Sequence, residues 1–358
     1  MKKTVTALVL VLVMGLLPLM GLAEAFDPKE FEGATLNVYN WGEYVDMNVI
    51  RDFEKEYNVR VNYKTYESNE YLWLQLKSGD AWDIIVPSDY MIERLIGAGM
   101  LQPLDKSIVT NLDQLTEGVK NMPFDPDNTY SAPYFWQSVG IVYDTTKIPE
   151  EEMEAQGWDA YHNADYAGHV YMYDSSRDAF MMAEKALGYS ANTTDPAEIE
   201  AATEWLRTMH STLKPSYVTD EVIDSMAQGM KWMAMVYSGD GAYILSENED
   251  MAYCQPKQGT NIAVDAMVIP ANAANPKLAN VFIQYMLGYD ACMANSLEVG
   301  YASPNAEVLA ELSGPGGEYE GNAAYMPRSG YELDELYVDL PGDWQAKQPD
   351  LWAKIMAE

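Results

Sequence analysis

Cysteine and histidine are nearly missing from this chain: it holds two cysteines and three histidines in 358 residues. Two thiols are too few for a metal cluster, and His162, His169 and His210 are scattered without ligand spacing. No metal site and no cofactor are therefore expected. Basic residues are scarce as well, 22 Lys and Arg against 55 Asp and Glu, for a formal net charge of −33. That balance argues against nucleic acid and anionic membrane surfaces, which need basic patches. Past residue 23 there is no apolar run long enough to cross a bilayer. A nucleophile elbow, a Walker loop and a G-x-G-x-x-G turn are all lacking. Paired carboxylates could serve a glycosidase, but among 55 acids such a pair carries almost no signal. No internal repeat and no low-complexity segment is present.

What is there is a chain long enough for two ordinary domains. Its hydrophobic share is 48% and its aromatic share 12%, which exclude a disordered protein. Lys2 and Lys3 precede an apolar run from Val5 to about Ala23, closed by Ala23-Glu24-Ala25. This is the order of a secretory signal peptide over residues 1–25, with an uncleaved anchor as the alternative. With no Cys near the cleavage site, a lipoprotein anchor is excluded, and the expected location is periplasmic or otherwise extracytoplasmic. In an exported protein Cys254 and Cys292 can pair, although nothing in their spacing shows that they meet.

Strands and helices alternate through the first part. Strand Leu36–Tyr39 is followed by a helix capped by Asp46, strand Val59–Tyr63 by a helix capped by Ser68, and strand Trp82–Val86 by a helix from about Asp89. That alternation predicts an α/β layer with mostly parallel strands. Pro123–Pro133 reads as a run of turns, and Gly140–Tyr143 as the start of a second strand-rich region. Asp125, Asp127 and Thr129 have the spacing that opens a calcium loop. Tyr130 and Trp136 occupy the positions needing Gly and Glu, so calcium is rejected. Asp195-Pro196-Ala197-Glu198 is a helix start with no further meaning.

Aromatics and acids recur just after the strands, at the rim where α/β sheets bind ligands. Trp41, Glu43 and Tyr44 follow the first strand, Tyr66-Glu67 the second, and Ser88, Asp89 and Tyr90 the third. Later, Tyr237 and Asp240 follow the strand Lys231–Tyr237, and Asp265 interrupts the apolar run Asn261–Ile269. An acid inside such a run is costly without a partner, which makes Asp265 the best single candidate. Rings beside carboxylates suit an organic cation. A core Trp beside a solvated Glu is the plainer alternative for the first cluster.

Several stretches together resemble the periplasmic spermidine/putrescine-binding proteins of bacterial ABC transporters. They include Tyr39-Asn40-Trp41-Gly42-Glu43-Tyr44, Thr65 to Glu70, Val86-Pro87-Ser88, Leu104 to Ser107, Pro123 to Pro126, Tyr189 to Glu200, Ile269 to Ala273 and Val299-Gly300-Tyr301. The match runs in order from about Thr35 to Asn305. The resemblance implies the type II periplasmic-binding fold: two α/β lobes, each a mixed, mostly parallel sheet flanked by helices, with the ligand between them. Lobe 1 would take residues 26–137 and 265–309, and lobe 2 residues 138–264 and 310–358. Polyamine contacts would fall on Trp41, Glu43, Tyr44, Ser88, Tyr90, Asp265 and Tyr301. In lobe 2 they would involve Asp174, Asp178, Tyr237 and Asp240. There Ser175 stands where an acid is usual, with Asp174 adjacent, and Asp178 is shorter than the usual Glu. Tyr237 and Ala263 each replace a Trp, and the Gln of the family's tail aligns near Val338. The implied function is capture of a polyamine, putrescine or spermidine, by a monomer that hands it to an ABC permease without catalysis. Another small amine or solute in the same fold, an exported hydrolase and an adhesion or scaffold protein are the alternatives.

Overall fold

In this computed structural model, which describes residues 28–328 and 330–358, side-chain alternation sorts each strand between two cores. The predicted leader lies outside the described residues. Strand β1 (Thr35–Trp41) sends Leu36 and Val38 into one buried cluster and Tyr39 into another on the opposite face. β2 (Arg60–Tyr66) and β3 (Ile84–Ile85) flank β1 in parallel. The helix Met47–Tyr57 buries Val49, Ile50 and Phe53 on the first face; Asp46 Oδ1 caps it by accepting from Asn48 N–H at 2.7 Å. The helix Asp89–Gly97 buries Met91, Ile92 and Leu95 on the second. Short β4 (Leu101–Gln102) pairs at the edge.

The element that holds the molecule together is β5, Ser131–Asp144, 14 residues of nearly continuous burial. Its first half, through Ser138, pairs antiparallel with β10 (Ile262–Pro270), which in turn pairs with β3. From Val139 onward it pairs instead with β8 (Met233–Tyr237) and β9 (Met251–Cys254). Parallel to β8 lies β6 (Val170–Tyr173), and beyond it β7 (Ser216–Val218). The path through the sheet is therefore β2-β1-β3-β10-β5-β8-β6-β7, a curled mixed sheet with helices on both faces. The two-lobed α/β expectation holds.

The run Pro123–Pro133 was expected to be turns up to its end, with a new strand at Gly140. In the structure Ser131 already belongs to β5, and Gly140 lies inside it. Pro133 is tolerated because Ala266 sits opposite at a register shift in β10. The turns before it are organised by Asp125, whose carboxylate accepts from the N–H groups of Thr129, Tyr130 and Ser131 and from Ser131 Oγ at 2.7–3.1 Å. Ser238–Glu247, directly after β8, is a helix, and a closing helix spans Gly342–Met356. Cys254 and Cys292 are both free and buried, in different core clusters, so the open disulfide question resolves against pairing.

At Gly140 a Cβ would lie 2.3 Å from the Tyr253 ring and 2.8 Å from the Cys254 carbonyl oxygen. The two strands approach closely there because no side chain stands between them. Gly140→Ala is expected to lower the stability by about 1–3 kcal/mol, read as a lower urea midpoint by circular dichroism.

Candidate functional site

Asp265 sits on β10 where the register shifts, and Ser88 forms an isolated antiparallel bridge to it. The loop between β3 and the helix Asp89–Gly97 is thereby pressed against the carboxylate. Tyr44 OH donates to Asp265 Oδ2 at 2.7 Å, and the nearby Ser88 side chain also favours the ionised form. Asp265 Oδ1, although buried, has no hydrogen-bond partner among the described residues. Asp89 opens the helix, fully buried; its Oδ1 accepts from Tyr90 N–H at 2.7 Å, while its Oδ2 likewise has no partner among the described residues.

Rings carry the site from there across the cleft. Tyr44 packs edge-on against Tyr301 at 5.6 Å and Phe135 at 5.2 Å. The Tyr301 hydroxyl reaches Asp240 Oδ1 at 3.5 Å, a long contact. An added Cβ on Gly239 would stand 2.3 Å from the Tyr301 ring, so the absent side chain is what lets that ring seat against the helix Ser238–Glu247. Tyr237 packs on Tyr173 at 5.0 Å and donates to Asp178 Oδ2 at 2.8 Å. Tyr337 donates to the other oxygen of Asp178 at 2.7 Å. The Arg177 guanidinium covers the Tyr337 ring at 4.3 Å and lies 5.9 Å from the Tyr90 ring. Tyr90 follows Asp89, and the circuit is closed.

Burial dominates the electrostatics. It pushes the Asp89 carboxyl up to about 8, against a partial opposing pull from its backbone donors and Arg177. It raises Asp240 to about 7, with Asp220 adding like charge, and moves Asp265 upward despite Ser88 and Tyr44. Among the described residues Arg177 offsets only part of the push on Asp89, so neutralisation is the cheapest state for these acids.

Of the residues proposed from sequence, the structure brings Tyr44, Ser88, Asp89, Tyr90, Asp178, Tyr237, Asp240, Asp265 and Tyr301 into this circuit. Trp41 borders it: its ring packs on Tyr66 at 4.5 Å, and Nε1 donates to Val86 O at 2.8 Å. Glu43 is exposed in a turn with φ 49°, on the same connection as Tyr44. Asp174 is not brought in. Its Oδ1 accepts from Trp352 Nε1 at 2.8 Å, which ties it to the closing helix. Tyr173 and Tyr337 were missed. Tyr173 ends a strand as Tyr237 does, so that signal was available; Tyr337 lies in a loop-rich tail whose alignment pointed one residue further on.

The model of the bacterial extracellular solute-binding protein family matches residues 48–326. This chain belongs to that family. It is a solute-binding protein, not an enzyme, and it is exported. It is 35% identical over 281 residues to a spermidine/putrescine-binding periplasmic protein of Salmonella typhimurium, covering 78% of this chain and 80% of the relative. Against the putrescine-binding periplasmic protein SpuD of Pseudomonas aeruginosa it is 29% identical over 358 residues, 94% of each chain. The structure of PotD, a spermidine/putrescine ABC transporter substrate-binding protein of Streptococcus pneumoniae, superimposes with a TM-score of 0.78 at 31% identity, covering 91% of this chain and 99% of that one.

The raised acids have a consequence for stability. An unfolded Asp titrates near 4, whereas Asp89 and Asp240 stay protonated in the fold until about 8 and about 7. Between those values the folded state holds protons that the unfolded chain has lost, so stability falls as pH rises. The ligand-free protein is expected to melt at a higher temperature at pH 5 than at pH 8 by scanning calorimetry.

Proposed function

We propose that this solute-binding protein captures a polyamine, putrescine or spermidine, outside the cytoplasm and delivers it to the permease of an ABC importer. The observation that carries the reading is the circuit itself, in which buried carboxylates with open oxygens alternate with electron-rich rings. Such a lining neutralises ammonium groups at the acids and packs methylenes and cationic centres on the rings. An anion or a neutral sugar would leave those acids uncompensated.

In this reading Asp265, Asp89 and Asp240 take ammonium groups, with Glu43 attracting them at the rim. Tyr44, Tyr90, Tyr237, Tyr301 and Trp41 line the chain between them, and Ser88 fixes Asp265. Asp178 is held by Tyr237 and Tyr337 and serves as an anchor for the second wall. Lobe 1 is taken as residues 26–137 and 265–309, and lobe 2 as 138–264 and 310–358, a division supported by the change of partners along β5 after Ser138. Residues 1–25 direct export. The protein works as a monomer, and a net charge of −33 keeps it away from nucleic acid.

Closure of the lobes on the ligand gives the permease a form to recognise. The contact between Arg94 and Asp339 fits that role, since it ties the helix Asp89–Gly97 to the tail with hydrogen bonds of 2.9 and 2.7 Å. Titration calorimetry of the mature protein with putrescine, spermidine, cadaverine and amino acids tests the reading: saturable one-to-one heat is expected with a polyamine alone. Asp265→Asn should weaken that binding by roughly 2–5 kcal/mol. An unchanged affinity removes Asp265 from the site, and heat with amino acids alone removes the polyamine.

A further inference from the structure

We propose that Asp89 and Asp265 form one acid pair that shares a proton while the cleft is empty and releases it when a ligand ammonium group enters. The inference rests on the polyamine reading and adds to it a chemical exchange: a proton out for a cation in. Both residues are almost inaccessible, 0% and 4% exposed. Their segments are joined by the Ser88–Asp265 bridge and by Ala266 N–H donating to Pro87 O at 3.1 Å. Each carboxylate has one oxygen occupied by donors and one that is open. Asp89 Oδ1 accepts from Tyr90 N–H and Asp265 Oδ2 from Tyr44 OH, while Asp89 Oδ2 and Asp265 Oδ1 have no hydrogen-bond partner among the described residues. The Asp265 charge adds to the upward push on Asp89, and a proton on one of the two acids removes that repulsion.

The groups facing the pair do not supply the missing charge. Tyr44, Tyr66 and Tyr301 are neutral phenols near Asp265, with hydroxyls raised above their ordinary value by burial. Beside Asp89, Tyr90 hydrogen bonds outward to Glu70 and Asn69. Arg177 is the cation in the neighbourhood. Its guanidinium donates to Asn192 Oδ1 at 2.9 Å and Val338 O at 3.4 Å and covers Tyr337, so its hydrogen bonds go to other acceptors. It opposes the upward push on Asp89 without cancelling it. A primary ammonium, with three N–H donors, can satisfy both open oxygens at once. The carboxylic O–H then breaks, its proton passes to solvent buffer, and no covalent bond forms to the ligand.

The test is calorimetry of the mature protein with putrescine at pH 7 in phosphate and in Tris, whose ionisation enthalpies differ. The expected result is a buffer-dependent heat equal to release of about one proton per ligand, with affinity rising by up to about tenfold per pH unit between pH 6 and 8. Asp240 is a second source of protons, so the Asp89→Asn variant separates the two: it should bind putrescine more weakly and, per ligand bound, release markedly fewer protons. Binding whose heat ignores the buffer and whose affinity is flat with pH overturns the exchange and leaves the polyamine reading standing. An Asp89→Asn variant that releases as many protons as the parent overturns the pair. Absence of binding by any amine overturns both. The pH series on the unaltered protein decides the matter even if the variant fails to fold.

Discussion

One constraint governs this structure: among the described residues, carboxylates have been taken out of water with too little positive charge beside them, Arg177 offsetting only part of the cost for Asp89. Taking an ionised acid into a protein interior costs several kcal/mol even after relaxation. Asp89 and Asp265 recover part of that cost from Tyr90 N–H, Tyr44 OH and Ser88, but each keeps an open oxygen. A protein selected for stability alone would have placed a lysine or an apolar residue there. In the reading proposed above, the open oxygens are retained because the missing charge would arrive with the ligand.

Holding such groups in register needs a frame that does not yield, and β5 supplies it. One uninterrupted strand pairs with β10 through Ser138 and with β8 from Val139, so Asp265 on one partner and Tyr237 on the other are placed by the same backbone. The cross-cleft contacts are of another kind. They include the Tyr301 ring seated over Gly239, the long approach of its hydroxyl to Asp240, and the part-buried pair Arg94–Asp339. Such strands with side-chain contacts between them are compatible with the lobe closure proposed above.

Much of this was legible before any fold was known, because the chemistry lies in short range order. Asp265 announced itself as an acid in an apolar run, and Tyr44, Tyr90 and Tyr237 by following strands. The helix caps Asp46, Ser68 and Asp195 were likewise local. What failed depended on partners distant in sequence. Asp174 looked equivalent to Asp178, yet Trp352, 178 residues later, claims it. Tyr337 reaches Asp178 across 159 residues from a segment without periodicity. The length of β5 was hidden because Pro133 reads as a breaker unless the irregular pairing opposite it is known.

The two walls differ in a way that bears on how a guest is held. Asp178 has both oxygens occupied, by the hydroxyls of Tyr237 and Tyr337. Its charge is spread over two strong donors, and an incoming ammonium would have to displace one of them. Asp265 and Asp89 need no such displacement, since their open oxygens already await a donor. In the polyamine reading proposed above, charge capture would belong first to Asp265 and Asp89, while Asp178 would act by holding the Tyr237 and Tyr337 rings in place. Asp240, raised to about 7 and touched by Tyr301, stands between these extremes. If Ala263 stands where the family carries a Trp, as the resemblance implies, the proposed recognition would rest more on where ammonium groups meet these acids than on a complete aromatic cage.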